Sequence, residues 1–462
     1  MAEPAPGADL LSRLDEAPLT RRYWATFFVI MLLLVVEIFD FFVVGYLVSA
    51  VAPAWGLTFG QTAVMLLSAG VGAIFGALGF GWLADRHGRK FVIVASALVC
   101  SLCAGSLAFV PEGSWQGFAA LRFLVGVGYG GAGASMFALI AEYTPVRRRT
   151  FLTSSMAVPA GLGLLLASVV VTALFPVLGW RGTAALGFAP AVLAVGVAFV
   201  APESARWLVA DGQIDRARRA AASMLGAAVP TVDVAAFVAA PAAAASPTPS
   251  SPRDLLSDPR AFWLVLLIQV GLGATLTGVL LWGPTILAML LEIEPQAAAG
   301  YFVAVSLAGL TGRAVVAWLA ERLGRRPVGQ LTAYAGAAAL ALAALLHGME
   351  IEGVSAFLVL LVIGHFFYDG AFANVISYGA ELYPVRLAAQ GMGLSAASGG
   401  VGKILGPLVL GLLAGTGNLV TPQATEQAIL PGFMFLSACC LVVGLAFTLL
   451  GVETHKRPLA LA

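Results

Sequence analysis

Charged residues are scarce in this chain. They make up 11% of its 462 residues and nearly cancel to a formal net charge of +1. Soluble domains carry about 25% charged residues, so a chain with so few cannot cover a water-facing surface. Nucleic-acid binding requires a concentrated basic surface, and this charge balance excludes one. We therefore predict no nucleic-acid partner.

Cysteine is also rare, and the four cysteines do not have the pattern of a metal or redox site. Cys100 and Cys103 are spaced as a CxxC pair, but they lie within an apolar run, and no second pair has metal-ligand spacing. Core packing is the better interpretation. The sequence also lacks a nucleophile–base cluster and the phosphate loop of ATPases. We therefore predict no enzyme activity, no cofactor and no bound metal.

Long hydrophobic runs are what the chain has in abundance. Hydrophobic residues make up 60% of it, and the mean hydropathy is +0.94. A membrane-spanning helix needs about 20 mostly apolar residues. The first run is too long for the core of a cleavable signal peptide and is expected to stay as a span. The twelve predicted spans are 23–50, 62–82, 91–110, 118–140, 151–175, 182–200, 262–291, 297–319, 328–346, 354–379, 387–413 and 428–450.

The basic residues predict the orientation of these spans. Most Lys and Arg residues lie in the two tails or in the loops after even-numbered spans, as Arg86 and Arg322 do. The alternate loops hold acids such as Glu112 and Glu350. The positive-inside rule then places both termini in the cytoplasm. We predict a multi-pass protein of the cell (inner) membrane.

A longer segment, 202–259, separates the sixth span from the seventh. Its first part mixes arginine with apolar residues and predicts interfacial helices, whereas its Ala-, Pro- and Ser-rich stretch around 241–252 is typical of a linker. The predicted division is a cytoplasmic N-tail (1–22), an N-terminal bundle (23–201), a cytoplasmic linker (202–259), a C-terminal bundle (260–452) and a cytoplasmic C-tail (453–462).

Two motifs of the first half recur in the second. The sequence GWLADRHGRK from Gly81 returns as AWLAERLGRR from Ala317, and AEYTPVR from Ala141 returns as AELYPVR from Ala380. The offsets are nearly equal, so a single duplication explains both. Parallel repeats of six spans place a substrate path between the halves, near the bilayer midplane. The predicted fold is an all-α membrane protein with twelve transmembrane helices in two pseudo-symmetric six-helix bundles.

These motifs resemble those of a known family. The stretch from Gly81 resembles the loop signature of the major facilitator superfamily, and RFLVGVG from Arg122 resembles its fourth-span signature. PESARWL from Pro202 resembles a motif of the sugar-porter, organic-ion and aromatic-acid branches, with Ala205 in place of a proline. The resemblance covers nearly the whole chain. It implies the major facilitator fold and secondary active transport by alternating access.

One branch, the aromatic acid:proton symporters, is similar in its charged residues. That family has Asp-Gly-Phe-Asp in its first span, where this chain has Glu37-Ile-Phe-Asp40, and Arg122 matches its fourth-span arginine. Where it often has Gly-Arg in span eleven, this chain has Gly399-Gly400, with Lys403 one turn later. The resemblance implies proton-coupled symport of a small organic acid, aromatic or related. A sugar-like, zwitterionic or cationic solute, and a receptor built on a transporter fold, are alternatives.

Ionisable residues inside spans cost several kcal/mol unless they are paired or hydrated, so they are functional candidates. Glu37 and Asp40 are three residues apart and share a helix face. Two carboxylates so close in a low dielectric do not readily carry charge together, which suits a proton carrier. Arg122 is a permanent cation that can bind a carboxylate in one state and release it when that group is protonated. The predicted proton-coupling residues are Glu37, Asp40, Arg122 and Asp369. Pairing that only holds helices in register is the alternative.

A second group of candidates lies in spans ten and eleven. His365 and Asp369 share a helix face, and Lys403 either pairs with Asp369 or binds a substrate carboxylate. Aromatic side chains near these charges can sandwich a flat solute, although core packing explains them equally well. The predicted substrate-binding residues are Tyr46, Arg122, His365, Tyr368, Asp369 and Lys403. The predicted partners are this small-molecule substrate, protons and the lipid bilayer, and the protein is expected to be a monomer.

The loop motifs predict gates. Asp85, at the end of the second span, can cap a neighbouring helix or pair with the arginines at 147–149. Breaking such contacts would favour the inward-open state, and Arg313 and Glu321 are expected to act likewise in the second half. The predicted gating residues are Asp85, Arg89, Glu142, Arg147, Arg313, Glu321, Arg325, Glu381 and Arg386.

Overall fold

The computed structural model describes residues 19–145, 148, 152–153, 155–156, 158–225, 252–376, 378–383 and 387–454. Most of these residues are helical. The predicted linker around 241–252 lies almost wholly outside the described residues.

The first half folds into six helices. They are α1 (Arg21–Ala54), α2 (Phe59–His87), α3 (Arg89–Ser106), α4 (Trp115–Tyr143), α5 (Val158–Ala185) and α6 (Ala189–Val200). The start of α2 illustrates why the helices begin where they do. The Thr58 side chain accepts from the Gln61 backbone, and the Gln61 side chain accepts from the Thr58 backbone. This reciprocal cap satisfies two amides that the helix itself cannot pair.

The residues of α5 and α6 form two spans that are divided within α5. Helix continues almost unbroken from 158 to 200, but its direction changes at one residue. Gly179 has φ 62° and ψ −174°, a conformation that favours glycine. A straight helix would separate Gly163 from Gly196 by about 50 Å. Yet Gly163 faces Ile38 and Gly196 faces Val29, both on α1. The chain therefore reverses at Gly179, which separates the predicted fifth and sixth spans.

The second half repeats this pattern. Its helices are α7 (Pro259–Leu290), α8 (Pro295–Leu323), α9 (Arg325–Leu345), α10 (Ala356–Val375), α11 (Ala388–Leu413) and α12 (Pro422–Leu449). A small hairpin joins α9 to α10, with Glu350 opposite Ser355. With the helical stretches before and after Gly179 counted as separate spans, the described residues contain a helix for each of the twelve predicted spans.

Short helices lie between and beside the bundles. They are Ala205–Ala210, Ile214–Leu225, Tyr378–Glu381 and a 3₁₀ segment, Pro252–Ser257. The helix Ile214–Leu225 buries Ala217 and Ala221 and exposes Arg216 and Arg219. It therefore has the amphipathic character that the arginine-rich sequence predicts.

Helix packing is the same in the two halves. α2 packs on α4 as α8 packs on α10, α1 on α5 as α7 on α11, and α3 on α6 as α9 on α12. The halves meet where α2 contacts α11 and where α5 contacts α8. The predicted fold of two pseudo-symmetric six-helix bundles is confirmed.

Glycine allows the closest of these contacts. A Cβ atom on Gly126 of α4 would lie 2.0 Å from the Ala69 carbonyl oxygen on α2. One on Gly72 of α2 would lie 2.0 Å from the Phe123 carbonyl oxygen. The two backbones therefore touch, as small residues permit in membrane helices.

The bundle has two distinct ends. Thr20 donates to the Met224 carbonyl at 2.9 Å, and Arg260 donates to the Leu450 carbonyl at 2.9 Å. The described chain therefore begins beside the helix Ile214–Leu225 that follows α6 and ends beside the start of α7, at one end of the bundles. We name this the terminus end and the opposite one the far end. At the far end, Arg181 donates to the carbonyls of Ala108 and Val110 and so anchors the turn at Gly179.

Candidate functional site

Lys403 of α11 reaches across from the second half to aromatic rings of the first. Its Nζ atom lies 5.6 Å from the ring centroid of Tyr129 on α4 and 6.0 Å from that of Phe41 on α1. The two rings are 4.8 Å apart. Ring faces attract a cation at this range. Among the described residues, the Lys403 side chain has no salt bridge. Its ammonium group can therefore pair with the carboxylate of a bound solute.

Arg122 of α4 also lies near Phe41 and is fully buried. Its Nη1 donates to the Asp40 carbonyl oxygen at 2.9 Å, and its Nη2 donates to the Phe41 carbonyl oxygen at 2.8 Å. Its guanidinium carbon is 5.9 Å from the Phe41 ring centroid. The guanidinium therefore bonds to the main chain of α1 here. It makes no hydrogen bond to the Asp40 carboxyl.

Glu37 and Asp40 are each about 1% exposed. None of their four carboxyl oxygens has a hydrogen-bond partner. Burying an unpartnered carboxylate costs several kcal/mol, and two such groups on one turn of α1 are therefore exceptional. The arginine that sequence analysis assigned to them lies close by but bonds to the backbone.

The buried charges of the second half are paired. Arg313 of α8 binds both carboxyl oxygens of Asp369 on α10, with Nε–Oδ2 2.8 Å and Nη2–Oδ1 2.7 Å. His365 Nδ1 lies 2.7 Å from the Tyr368 hydroxyl, and its Nε2 has no hydrogen-bond partner. Sequence analysis left a Lys403–Asp369 pair open. In the structure Asp369 pairs with Arg313, and Lys403 lies against the first half.

Gly309 of α8 is what allows these groups to pack against that helix. A Cβ atom there would lie 2.6 Å from Asp369 Oδ2 and 2.7 Å from His365 Nε2. Tyr46, by contrast, lies neither in the group around Lys403 and Arg122 nor in the group around Arg313 and Asp369. Its ring meets that of Phe302 edge-on at 5.9 Å, where α1 contacts α8.

The predicted gate of the first half lies at the terminus end. Asp85 pairs with Arg89 at 3.0 Å, and the carboxylate of Asp85 is 76% exposed. Glu142 accepts a hydrogen bond from Ser204. Glu203 accepts from the backbone amides of Lys90 at 3.0 Å and Ser204 at 2.8 Å. Glu203 therefore caps the start of α3, where an acid is favoured by the helix dipole.

The gate of the second half is similar but more tightly paired. Arg325 donates to both carboxyl oxygens of Glu381, at 2.7 and 3.3 Å. Thr454 donates to Glu381 at 2.6 Å, as Ser204 does to Glu142. Glu453 accepts from the amides of Arg325 and Arg326 at 3.0 and 3.1 Å and so caps α9. The PES segment of the first half (202–204) and the VET segment of the second (452–454) thus make corresponding contacts, because their glutamates cap α3 and α9 and their hydroxyls donate to Glu142 and Glu381.

Glycine and tyrosine complete these networks. Gly88 and Gly324 precede α3 and α9 with φ 93° and 97°, and a Cβ on either would lie within 2.5 Å of the capping glutamate. Tyr378 donates to the Val452 carbonyl and accepts from the Val452 amide.

The structure describes two of the four remaining predicted gating residues. Arg147 and Arg386 lie outside the described residues, and Glu321 is exposed at the end of α8. Arg313 lies in the buried pair with Asp369 and not in the terminus-end network.

Sequence reasoning missed Tyr129, Glu203 and Glu453. Tyr129 follows Arg122 by two helical turns and so lies on the same face of α4, a signal that was available. Glu203 belongs to the PESARWL motif, but the amides that Glu203 and Glu453 cap are far away in the sequence.

Comparison with known proteins places the chain in a family. The niacin transporter NiaP of Acinetobacter baylyi is 29% identical over 98% of this chain and 99% of its own length. The 4-hydroxybenzoate transporter PcaK of Pseudomonas aeruginosa is 29% identical over 91% of this chain and 94% of its own. Among solved structures, the inward-open xylose transporter XylE from E. coli aligns with TM-score 0.73 and 16% identity, covering 95% of this chain and 98% of its own.

The family model for the Major Facilitator Superfamily matches residues 30–407. The match covers most of both six-helix bundles, and the relatives named above are membrane transporters and not enzymes. The chain is a membrane transporter that belongs to the Major Facilitator Superfamily.

Proposed function

We propose that this transporter carries small organic acids, aromatic or related carboxylates, in symport with protons, with its terminus end in the cytoplasm. The observation that carries the proposal is the Lys403 ammonium beside the rings of Phe41 and Tyr129, without a carboxylate partner among the described residues. A substrate carboxylate would pair with Lys403, and its ring would stack on the two aromatic side chains. Relatives named as transporters of niacin, 4-hydroxybenzoate, gallate and gentisate support this class.

Proton coupling is proposed for Glu37 and Asp40. Unpartnered buried carboxyls favour the neutral, protonated form, because the ionised form would lose its hydration without compensation. Arg122 donates to the main-chain carbonyls of Asp40 and Phe41, which are adjacent in sequence to the Asp40 carboxyl. In the proposed cycle, a carboxyl that loses its proton takes the guanidinium from those carbonyls, and α1 moves relative to α4. Proton release and a change in the α1–α4 contact would then be a single event.

The test is uptake of radiolabelled nicotinate and 4-hydroxybenzoate into proteoliposomes, with and without an imposed pH gradient. Lys403→Ala removes the charge that pairs with the substrate, and a buried charged hydrogen bond contributes about 1.5–3 kcal/mol. We therefore expect KM to rise at least about tenfold. Arg219→Ala, which removes an exposed charge on the interfacial helix, is the control and should leave KM unchanged.

Asp40→Asn tests the coupling separately. It should abolish uptake driven by the pH gradient and preserve exchange of labelled for unlabelled substrate, since exchange needs no net proton movement. Gradient-driven uptake at the wild-type rate in this variant would refute the role of Asp40. Uptake of xylose or an organic cation, with none of either acid, would refute the substrate class.

A further inference from the structure

The far end of the molecule is closed by a contact between the halves that none of the predicted gating residues forms. The loop from α1 to α2 belongs to the first half, and the loop from α11 to α12 belongs to the second. Phe59 N donates to the Asn418 carbonyl at 2.9 Å, Gly60 N to Thr416 at 3.1 Å, and Val420 N to Leu57 at 3.0 Å. We name residues 57–60 and 416–420 the far-end clasp.

The clasp is a short antiparallel bridge in which Thr58 faces Leu419. The two segments of the clasp approach each other too closely for a side chain at position 60. A Cβ on Gly60 would lie 2.9 Å from the Thr416 carbonyl oxygen and 3.1 Å from its Cβ. Asn418 stabilises the second strand by donating to the Ala414 carbonyl at 2.9 Å. Main-chain bonds of this kind do not depend on pH or salt in the way that ion pairs do.

Phe59 adds an apolar plug to these bonds. It is the first residue of α2, but its ring is 2% exposed and lies inside the second half, 5.6 Å from the ring of Trp282. Trp282 is itself fixed by a hydrogen bond to the Pro407 carbonyl at 3.0 Å. A cavity of about 20 Å³ lies beside Phe59, and its other walls come from the second half, among them Ile286, Leu410, Thr425, Ile429 and Phe433.

The pseudo-symmetric position lacks such a clasp. The loop from α7 to α8 and the turn at Gly179 are the corresponding segments. No backbone hydrogen bond joins residues 291–294 to residues 176–182, all of which the structure describes. The clasp therefore does not follow from the fold of the repeat and is a feature of one loop pair.

We propose that Phe59 and the far-end clasp form the gate that closes the far end of the transport path. Alternating access requires this end to open, and opening requires withdrawal of the Phe59 ring and loss of the three backbone bonds. The gate therefore acts as a two-state element, whose closed form is stabilised by buried apolar area and by main-chain pairing. The proposal does not depend on which substrate is carried.

The test is a spin-label distance measurement across the far end. Labels are placed at Ala54 and Gln423, both exposed, in a protein whose four native cysteines are replaced by alanine. Phe59→Ala empties the pocket, and Gly60→Leu wedges the clasp apart. We expect each to raise the population with a long inter-label distance at least about tenfold, since truncation of a buried Phe strongly disfavours the packed state.

Two controls on the same helix are matched to these variants. Phe75→Ala removes a ring that is 60% exposed, and Gly79→Leu adds a side chain where a Cβ meets no atom within 4 Å. Both should keep the wild-type distance distribution. If Phe59→Ala does not accumulate, Phe59→Leu should give a smaller shift in the same direction.

A cross-link provides the second measurement. Cysteines at Thr58 and Leu419 face each other across the bridge and should form a disulfide, which removes the long-distance population in the Gly60→Leu variant. The proposal is overturned if the folded Phe59 and Gly60 variants both keep the wild-type distribution. This outcome would leave the substrate and proton assignments untouched, because those are measured by uptake.

Discussion

The two halves share one helix arrangement but use their buried arginines differently. In the second half, Arg313 holds both oxygens of Asp369. In the first half, Arg122 bonds to backbone carbonyls and leaves the carboxyls of Glu37 and Asp40 without partners. A bidentate pair strongly favours one geometry, whereas a guanidinium on carbonyls beside free carboxyls has an alternative partner nearby. The comparison indicates a fixed second half and a first half with two available arrangements.

The largest effect should come from breaking the fixed pair. Asp369→Asn keeps the shape of the side chain but removes the negative charge that binds the buried Arg313 guanidinium. Removing one partner of a buried pair typically costs 3–5 kcal/mol, so we expect a loss of roughly that size in the free energy of unfolding. Denaturant titration of the detergent-solubilised protein, followed by tryptophan fluorescence, measures it.

Asp85→Asn is the control for this variant, because that carboxylate is mostly exposed. A loss below about 1 kcal/mol at Asp369 would mean that the pair adds little to stability. The functional role that sequence analysis gave Asp369 would then be the better explanation.

At the terminus end, the loss of unfolding free energy should also be larger for a variant in the second half than for one in the first, but the difference should be smaller than that at Asp369. Glu381 is bound by Arg325 and Thr454 and is 25% exposed on its side chain, whereas Asp85 has a single exposed pairing with Arg89. We expect Glu381→Gln to cost about 1–2 kcal/mol and Asp85→Asn less than about 0.5 kcal/mol. The same unfolding titration compares the two variants.

The salt dependence of the unfolding free energy distinguishes Asp85→Asn from Glu381→Gln further. The Debye length falls from about 8 Å at physiological ionic strength to about 3 Å at 1 M salt. Because the exposed Asp85–Arg89 pair is separated by 3.0 Å, any effect of Asp85→Asn should shrink in 1 M salt, whereas that of Glu381→Gln should persist. Equal losses for both variants would contradict the contrast between the two gates.

The fold could be predicted almost completely from the sequence, because the bilayer imposes a minimum length on every apolar span. The duplication of the loop motifs gave the two halves, and Gly179 lies in the break between the fifth and sixth predicted runs. Spacing along one helix also grouped His365 with Asp369 and Glu37 with Asp40 correctly on shared faces. These inferences need only the periodicity of a helix.

Partners on other helices could not be predicted in the same way. Lys403 was the candidate cation for Asp369, and Arg313 was assigned to a gate, but the packing of α8 on α10 pairs Asp369 with Arg313. Phe59 resembles any apolar residue at a helix start, and its pocket is made by residues more than 200 positions away. The side chains that meet across an interface are determined by the rotation of each helix about its axis and by the crossing angle between helices. Neither quantity can be inferred from the amino-acid composition.

A small expected effect at a fully buried carboxyl is the sharpest test of the comparison. Asp40→Asn makes the same chemical change as Asp369→Asn, at a position equally buried. Because the Asp40 carboxyl makes no hydrogen bond, the substitution breaks none, and the free energy of unfolding should change by less than about 1 kcal/mol near neutral pH. A loss above about 2 kcal/mol would mean that Asp40 is ionised and held by the charge of Arg122. Both halves would then contain a stabilising ion pair, and Glu37 alone would remain in the first half as an unpartnered carboxyl to carry the proton.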